Sequence, residues 1–130
     1  LKGVIVISYE ATGSFSNTES FLKAMEHLAV VQMMEDAGRE GVKALAYATP
    51  HDTGLASISW GYEVSASNGF YTVTWINTDI ENGFPVVIAL QYGHGTGTGG
   101  YVKGRDFINP AIKPIFDSIA NRLWKAVTSA

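Results

Sequence analysis

The sequence predicts a single α+β domain, in which an antiparallel β-sheet of about four strands packs against a long helix in the N-terminal half and an amphipathic helix at the C-terminus. Three observations predict it. Apolar and polar residues alternate strictly through Ile58–Val64 and again through Tyr71–Trp75, as in half-buried strands. Apolar residues recur at helical spacing from Ile112 to Val127. Thr49-Pro50 supplies a helix stop, because the residue before proline is pushed out of the α region. No internal repeat or linker interrupts the 130 residues, so 1–130 reads as one unit, of a size that buries roughly two thirds of its unfolded surface.

Val4 to Tyr9 is a β-branched apolar run ending in the turn-rich ATGSFSNTES, and it reads as the first strand. Asn17 or Thr18 can accept bonds from the first free N–H groups of a helix that runs to about Ala48. A strand then starts at Leu55, with Ile58, Trp60, Tyr62 and Val64 on one face, followed by the SASNG turn. Asn68-Gly69 suits positive φ, so this strand and the one carrying Tyr71, Val73 and Trp75 form a hairpin. NTDIENGFP reads as a loop, Val86 to Tyr92 as a further strand, Gly93 to Gly100 as a mobile Gly-rich loop, and Tyr101-Val102 as a short strand. In the last helix Ile112, Ile115, Phe116, Ile119, Leu123, Trp124 and Val127 oppose Lys113, Asp117, Asn121, Arg122 and Lys125. Pro110 falls in its first turn, where a missing N–H is harmless.

The first helix changes its apolar side. At about 100° per residue, Phe21, Leu22, Met25, Leu28 and Ala29 share one face, whereas Val30, Met33, Met34, Ala37, Ala44 and Leu45 share a face turned by roughly 140°. Either the helix breaks near Ala29-Val30 or kinks at Gly38, or one straight helix is covered by the core along one half and by something else along the other. Gly38 and Gly41 each weaken it by roughly 1 kcal/mol relative to Ala, and small residues there permit the close approach of another backbone.

Charge and composition narrow the function classes. Charged residues make up 16% of the chain against roughly 25% in typical soluble domains, which suggests a surface partly covered by partners. A net charge of −3 with nine scattered basic residues argues against sequence-independent attraction to nucleic acid, which needs clustered Lys and Arg. The absence of cysteine removes disulfides, thiolate metal sites and cysteine nucleophiles, and leaves the redox compartment open. The longest apolar run, Val86 to Leu90, is far short of the roughly 20 residues of a membrane span. The opening LKGVIVISYE lacks a small-residue cleavage signal and reads as a strand, so a chain used without export is expected.

No motif assembles an enzyme, and no cofactor or metal is expected. Asp52-Thr53-Gly54 matches the catalytic triplet of retroviral-type aspartic proteases, which would require a dimer to bring two aspartates together. Yet it follows the helix-ending Thr49-Pro50-His51 instead of a buried strand, and the simpler reading is a turn built by Pro50, Asp52 and Gly54. Gly95-x-Gly97-x-x-Gly100 matches a dinucleotide-binding turn only superficially, since Tyr101-Val102-Lys103-Gly104 follows where a helix is needed. His27, His51 and His94 are dispersed, without the pairing of a zinc site. Ser57 and Ser59 sit on the polar side of a strand without a nucleophile-elbow sequence. Trp60, Tyr62, Tyr71 and Trp75 alternate as a core face would; a ligand-binding module stacking bases or other ligands on them would need Trp60 and Trp75 exposed.

One ordered set of features resembles a known family. Pro50, Asp52-Thr53-Gly54-Leu55 with Ser57, then the hairpin, Gln91-Tyr92-Gly93, the Gly-rich loop and Phe107-Ile108-Asn109-Pro110-Ala111 resemble the tail-completion and head–tail joining proteins of long-tailed bacteriophages and prophages, over about Val30 to Ala130. Gln91 stands where that family usually has an acidic residue, and Leu55 or Ala56 where it often has a basic one. The resemblance implies a non-enzymatic virion component assembled in the host bacterial cytoplasm, a connector subunit forming a homo-oligomeric ring in the neck or at the tail end. Its partners would be copies of itself and other phage neck or tail proteins, with DNA passing through the ring, no sequence-specific nucleic-acid binding and no membrane. The expected interface residues are Phe21, Leu22, Met25 and Leu28 on the helix, and Gly93, His94, Gly95, Thr96, Gly97, Thr98, Gly99 and Gly100 in the loop.

Overall fold

The computed structural model describes residues 3–12, 20–51, 54–67 and 70–128, with side chains described over 3–11, 28–51, 54–67 and 70–125. The chain runs β1 (Val4–Thr12), α1 (Ser20–Ala48), β2 (Trp60–Ser67), β3 (Phe70–Asn77), β4 (Ile80–Glu81), β5 (Phe84–Pro85), α2 (Val86–Tyr92), β6 (Gly93–Gly95), β7 (Tyr101–Lys103) and α3 (Ile108–Thr128). This is the α+β arrangement expected, with a long first helix and a C-terminal helix.

The main sheet has three strands in the order β1-β3-β2, antiparallel throughout. β2 and β3 pair without interruption from Trp60↔Asn77 to Ser67↔Phe70, the hairpin that the alternation predicts. β1 occupies the other side of β3, and its register shifts between Ile5 and Ile7, a bulge that leaves Val6 as the extra residue. Period two then sorts the side chains. Ile7, Tyr9, Ala11, Tyr62, Val64, Tyr71, Val73 and Trp75 point to the helices, while Ser8, Glu10, Glu63, Ser65, Thr72 and Thr74 form a polar outer face.

Two helices cover the inner face side by side. The Phe116 ring of α3 lies 5.1 Å from Tyr9 and 6.0 Å from Trp75, so α3 sits over β1 and β3. α1 sits over β3 and β2, through Val30, Met34, Ala37 and Leu45, all buried. It is one unbroken helix of 29 residues, so the chain breaks neither near Ala29-Val30 nor at Gly38. Gly38 and Gly41 do bring a close approach, but of rings and not of a backbone: a Cβ on Gly38 would overlap the Tyr62 ring, and one on Gly41 the Trp75 indole. Trp75 fills this gap with no exposed surface and donates its indole N–H to the Gly38 carbonyl at 3.0 Å. The two glycines are therefore the sockets by which α1 settles onto the sheet.

Three expectations are corrected. Val86–Tyr92 is a helix and not a strand, so the main sheet stops at three strands. A short apolar run is ambiguous by periodicity alone, and the deciding signals were Pro85 at the N-cap and Gly93, at φ 89, whose N–H bonds Ala89 O at the C-cap. NTDIENGFP contains a small hairpin, β4–β5, turned by Asn82 and Gly83 at φ 52 and 76, the pairing that a tight two-residue turn requires. β2 begins at Trp60 and not at Leu55, since 55–58 form a turn that leaves Ile58 exposed.

Candidate functional site

The end of α1 is fastened by side-chain hydrogen bonds. Thr49 Oγ1 donates to Leu45 O at 2.6 Å and accepts the Trp60 indole N–H at 2.8 Å, which ties the helix end to the start of β2. Pro50 follows, and Gly54 holds φ 85. Asp52 lies outside the described residues. Ser57, expected on the polar side of a strand, is buried; it donates its hydroxyl to Ala46 O at 2.9 Å and meets His51 Nε2 at 2.9 Å. With its proton given to a carbonyl, Ser57 accepts from the Nε2–H tautomer of His51. The pair fastens the turn to the helix.

The Gly-rich segment is half strand. Gly93–Gly95 pairs with Tyr101–Lys103, which corrects the expectation of a loop through Gly93 to Gly100. The tip is folded on itself: Thr96 N bonds Gly100 O at 3.0 Å, Gly100 N bonds Thr96 Oγ1 at 3.1 Å, and the Thr96 and Thr98 hydroxyls are 3.1 Å apart. Gly97 and Gly99 take φ 80 and 93. The strand β7 and not a helix follows Gly100 directly, so the dinucleotide-turn resemblance has no structural counterpart. His94 Nδ1 is buried and has no hydrogen-bond partner among the described residues, while Tyr92, Tyr101 and Val102 are exposed, the Tyr101 hydroxyl donating to Tyr92 O at 3.1 Å.

Gln91, at the end of α2, is the residue whose role sequence reasoning missed. Buried, it accepts the Phe107 and Ile108 N–H groups on Oε1 at 3.0 and 3.1 Å and donates from Nε2 to Asp106 Oδ1 at 2.7 Å. It thereby caps α3 from outside that helix. Asp106 completes the cap by accepting from Asn109 N at 3.3 Å, and the bonds from Gln91 and Asn109 hold its carboxyl below the ordinary carboxylate range. An acidic residue at 91 could accept the same two N–H groups but would face Asp106 as a second anion. The amide supplies both an acceptor and a donor. Only the unseen helix α2 concealed this, because a strand would not aim residue 91 at the start of α3.

Of the residues expected at an interface, Leu28 is 62% exposed, although it belongs to the same helix as the buried Val30 and Met34. Phe21, Leu22 and Met25 lie in α1, but their side chains fall outside the description, as does that of His27. Large apolar side chains are also uncovered at Tyr47, Leu55 and Ile58, at Ile80 and Phe84 on the β4–β5 hairpin, and at Trp124. Trp60 and Trp75 are core residues, so the aromatic face of the sheet is packed against α1 and offers no stacking platform. Among the described residues no group of three or more His, Asp or Glu is arranged to hold a metal ion, and no helix is long and apolar enough to cross a membrane.

No family model, curated protein or solved structure matches the chain.

Proposed function

We propose that this chain is a structural, non-enzymatic component of a long-tailed bacteriophage or prophage, a subunit that closes into a ring in the neck or at the end of the tail and docks on a second ring of phage proteins. The observation that carries the reading is Leu28, an apolar residue left outside after α1 has buried Val30, Met34, Ala37 and Leu45. By helical spacing it belongs with Phe21, Leu22 and Met25 to a second apolar stripe, which a ring neighbour would cover. Exposed apolar side chains on the β4–β5 and β6–β7 hairpins and a surface poor in charge support the same reading, since interface cores are depleted in charge and enriched in aromatic residues. The resemblance in motif order gives the reading its biological setting, and a chain with net charge −3 would not hold back DNA passing through the ring.

Replacing Leu28 or Met25 with Glu tests it. Light scattering should show the assembled mass fall while the far-UV circular dichroism and melting cooperativity stay as in the parent. An assembled mass unchanged in both variants would refute the assignment of this stripe.

A further inference from the structure

We propose that the outer edge of β2 takes the β2 of a second copy of this chain, giving a two-fold dimer with one continuous sheet. In the order β1-β3-β2 the edges are β1 and β2. Soluble proteins blunt such edges with bulges, prolines or lysines. β1 carries the bulge at Val6, whereas β2 pairs in unbroken register from Trp60 to Ser67, contains no Pro, Lys or Arg, and has Glu63 as its one charged residue. Among the described residues no strand occupies its outer side.

The side chains select the register. For two copies to keep their helices on one side of the joined sheet, helix-facing residues must oppose helix-facing residues. With Val64 opposite the partner's Val64, Tyr62 meets the partner's Ala66 on the inner face, and Glu63 meets the partner's Ser65 on the outer face. Sliding one step in one direction sets Glu63 against the partner's Glu63, and sliding the other way shortens the overlap. Charge and strand length together favour the Val64-centred pairing.

The helix layer fits the same geometry independently. α1 lies over the β2–β3 pair, with Gly38 on Tyr62 and Gly41 on Trp75. Across the two-fold axis the two α1 helices are then separated by two strand spacings, about 9.6 Å, within the roughly 8–10 Å at which packed helices lie. The flank of α1 turned to the partner is fixed by Glu35, which accepts the Tyr62 hydroxyl at 2.7 Å, and by Arg39 beside it. Leu28 precedes Glu35 by seven residues and shares that flank, so in this dimer the partner helix, in place of a ring neighbour, covers its exposed side chain.

This dimer does not rest on the ring reading. The test is sedimentation velocity on the full chain and on Ser65→Lys, Ser65→Glu and the double variant Glu63→Lys/Ser65→Glu. Ser65 is exposed on the outer face, and thermal melts of each variant check that it folds. Two symmetry-related cross-strand pairs change together, so Ser65→Lys should tighten the dimer and Ser65→Glu weaken it, each by roughly tenfold, with the double variant recovering. Equal dissociation constants for Ser65→Lys and Ser65→Glu, or a Ser65→Lys chain that stays monomeric up to its solubility limit, would overturn the dimer. Rings forming identically in all variants would overturn it while leaving the ring reading standing; charge-sensitive dimers with no larger species would support it and remove the ring.

Discussion

Replacing Gly41 with Ala in the middle of a helix ordinarily stabilises a protein by about 1 kcal/mol. Here the opposite is expected. The added Cβ would overlap Trp75 at its indole nitrogen, and Trp75 has no exposed surface into which to retreat. Forcing a methyl into a filled core costs roughly 1–3 kcal/mol, and displacing the indole also weakens its bond to Gly38 O, worth about 1 kcal/mol. Set against the gain in helix propensity, the net loss is about 1–3 kcal/mol, or roughly 4–12 °C in melting temperature for a domain of this size. Thermal and urea unfolding followed by tryptophan fluorescence would read it. Gly38→Ala should lose less, because the Tyr62 ring it meets is only partly buried and can swing outward. A Gly41→Ala protein more stable than the parent would refute the socket account of how α1 seats on the sheet.

Other expectations follow from the same structure. Asp106, held below its ordinary pKa by Gln91 and Asn109, contributes stability that is present above the unfolded-state value near 3.9 and lost as pH falls through the folded-state value; Asp106→Asn should therefore melt lower than the parent at pH 7 and lose less on acidification to pH 2. Gln91→Leu leaves the Phe107 and Ile108 N–H groups without their acceptor and should cost about 2–4 kcal/mol in urea unfolding, whereas Gln91→Glu should be destabilised at neutral pH and regain part of that loss as the carboxyl pair takes up a proton. Iodide should quench chiefly the emission of the exposed Trp124, so a Trp124→Phe protein should be almost unquenchable if Trp60 and Trp75 are core residues in solution. Asp52→Asn should leave assembly intact and abolish no peptide cleavage, because the reading gives this chain none; loss of a measurable peptidase activity would favour the aspartic protease instead.

The elements with a strong single period were legible in the sequence. Trp60 to Val64 against Tyr71 to Trp75 gave the central hairpin, and Ile112 to Trp124 gave α3, because each buries one face only. Val86–Tyr92 was not, since α2 buries Val87, Ala89 and Gln91 while Val86, Ile88 and Leu90 are partly covered and Tyr92 alone is exposed, and a segment covered nearly all round carries no diagnostic period. Losing α2 also lost the cap that Gln91 places on α3. The glycines of α1 signalled close approach, but composition alone could not say that the approaching groups were the Tyr62 and Trp75 rings. Leu28 was legible as a misfit in the helical pattern.

The central claim is that the apolar surface left outside this domain exists to meet other protein subunits. Native mass spectrometry of the full chain over a range of concentrations tests it most directly. The account predicts discrete oligomers whose population rises with concentration, converging on one closed ring mass and diminished by Leu28→Glu. A chain that remains a monomer at every concentration, with the same spectrum for Leu28→Glu, would contradict it.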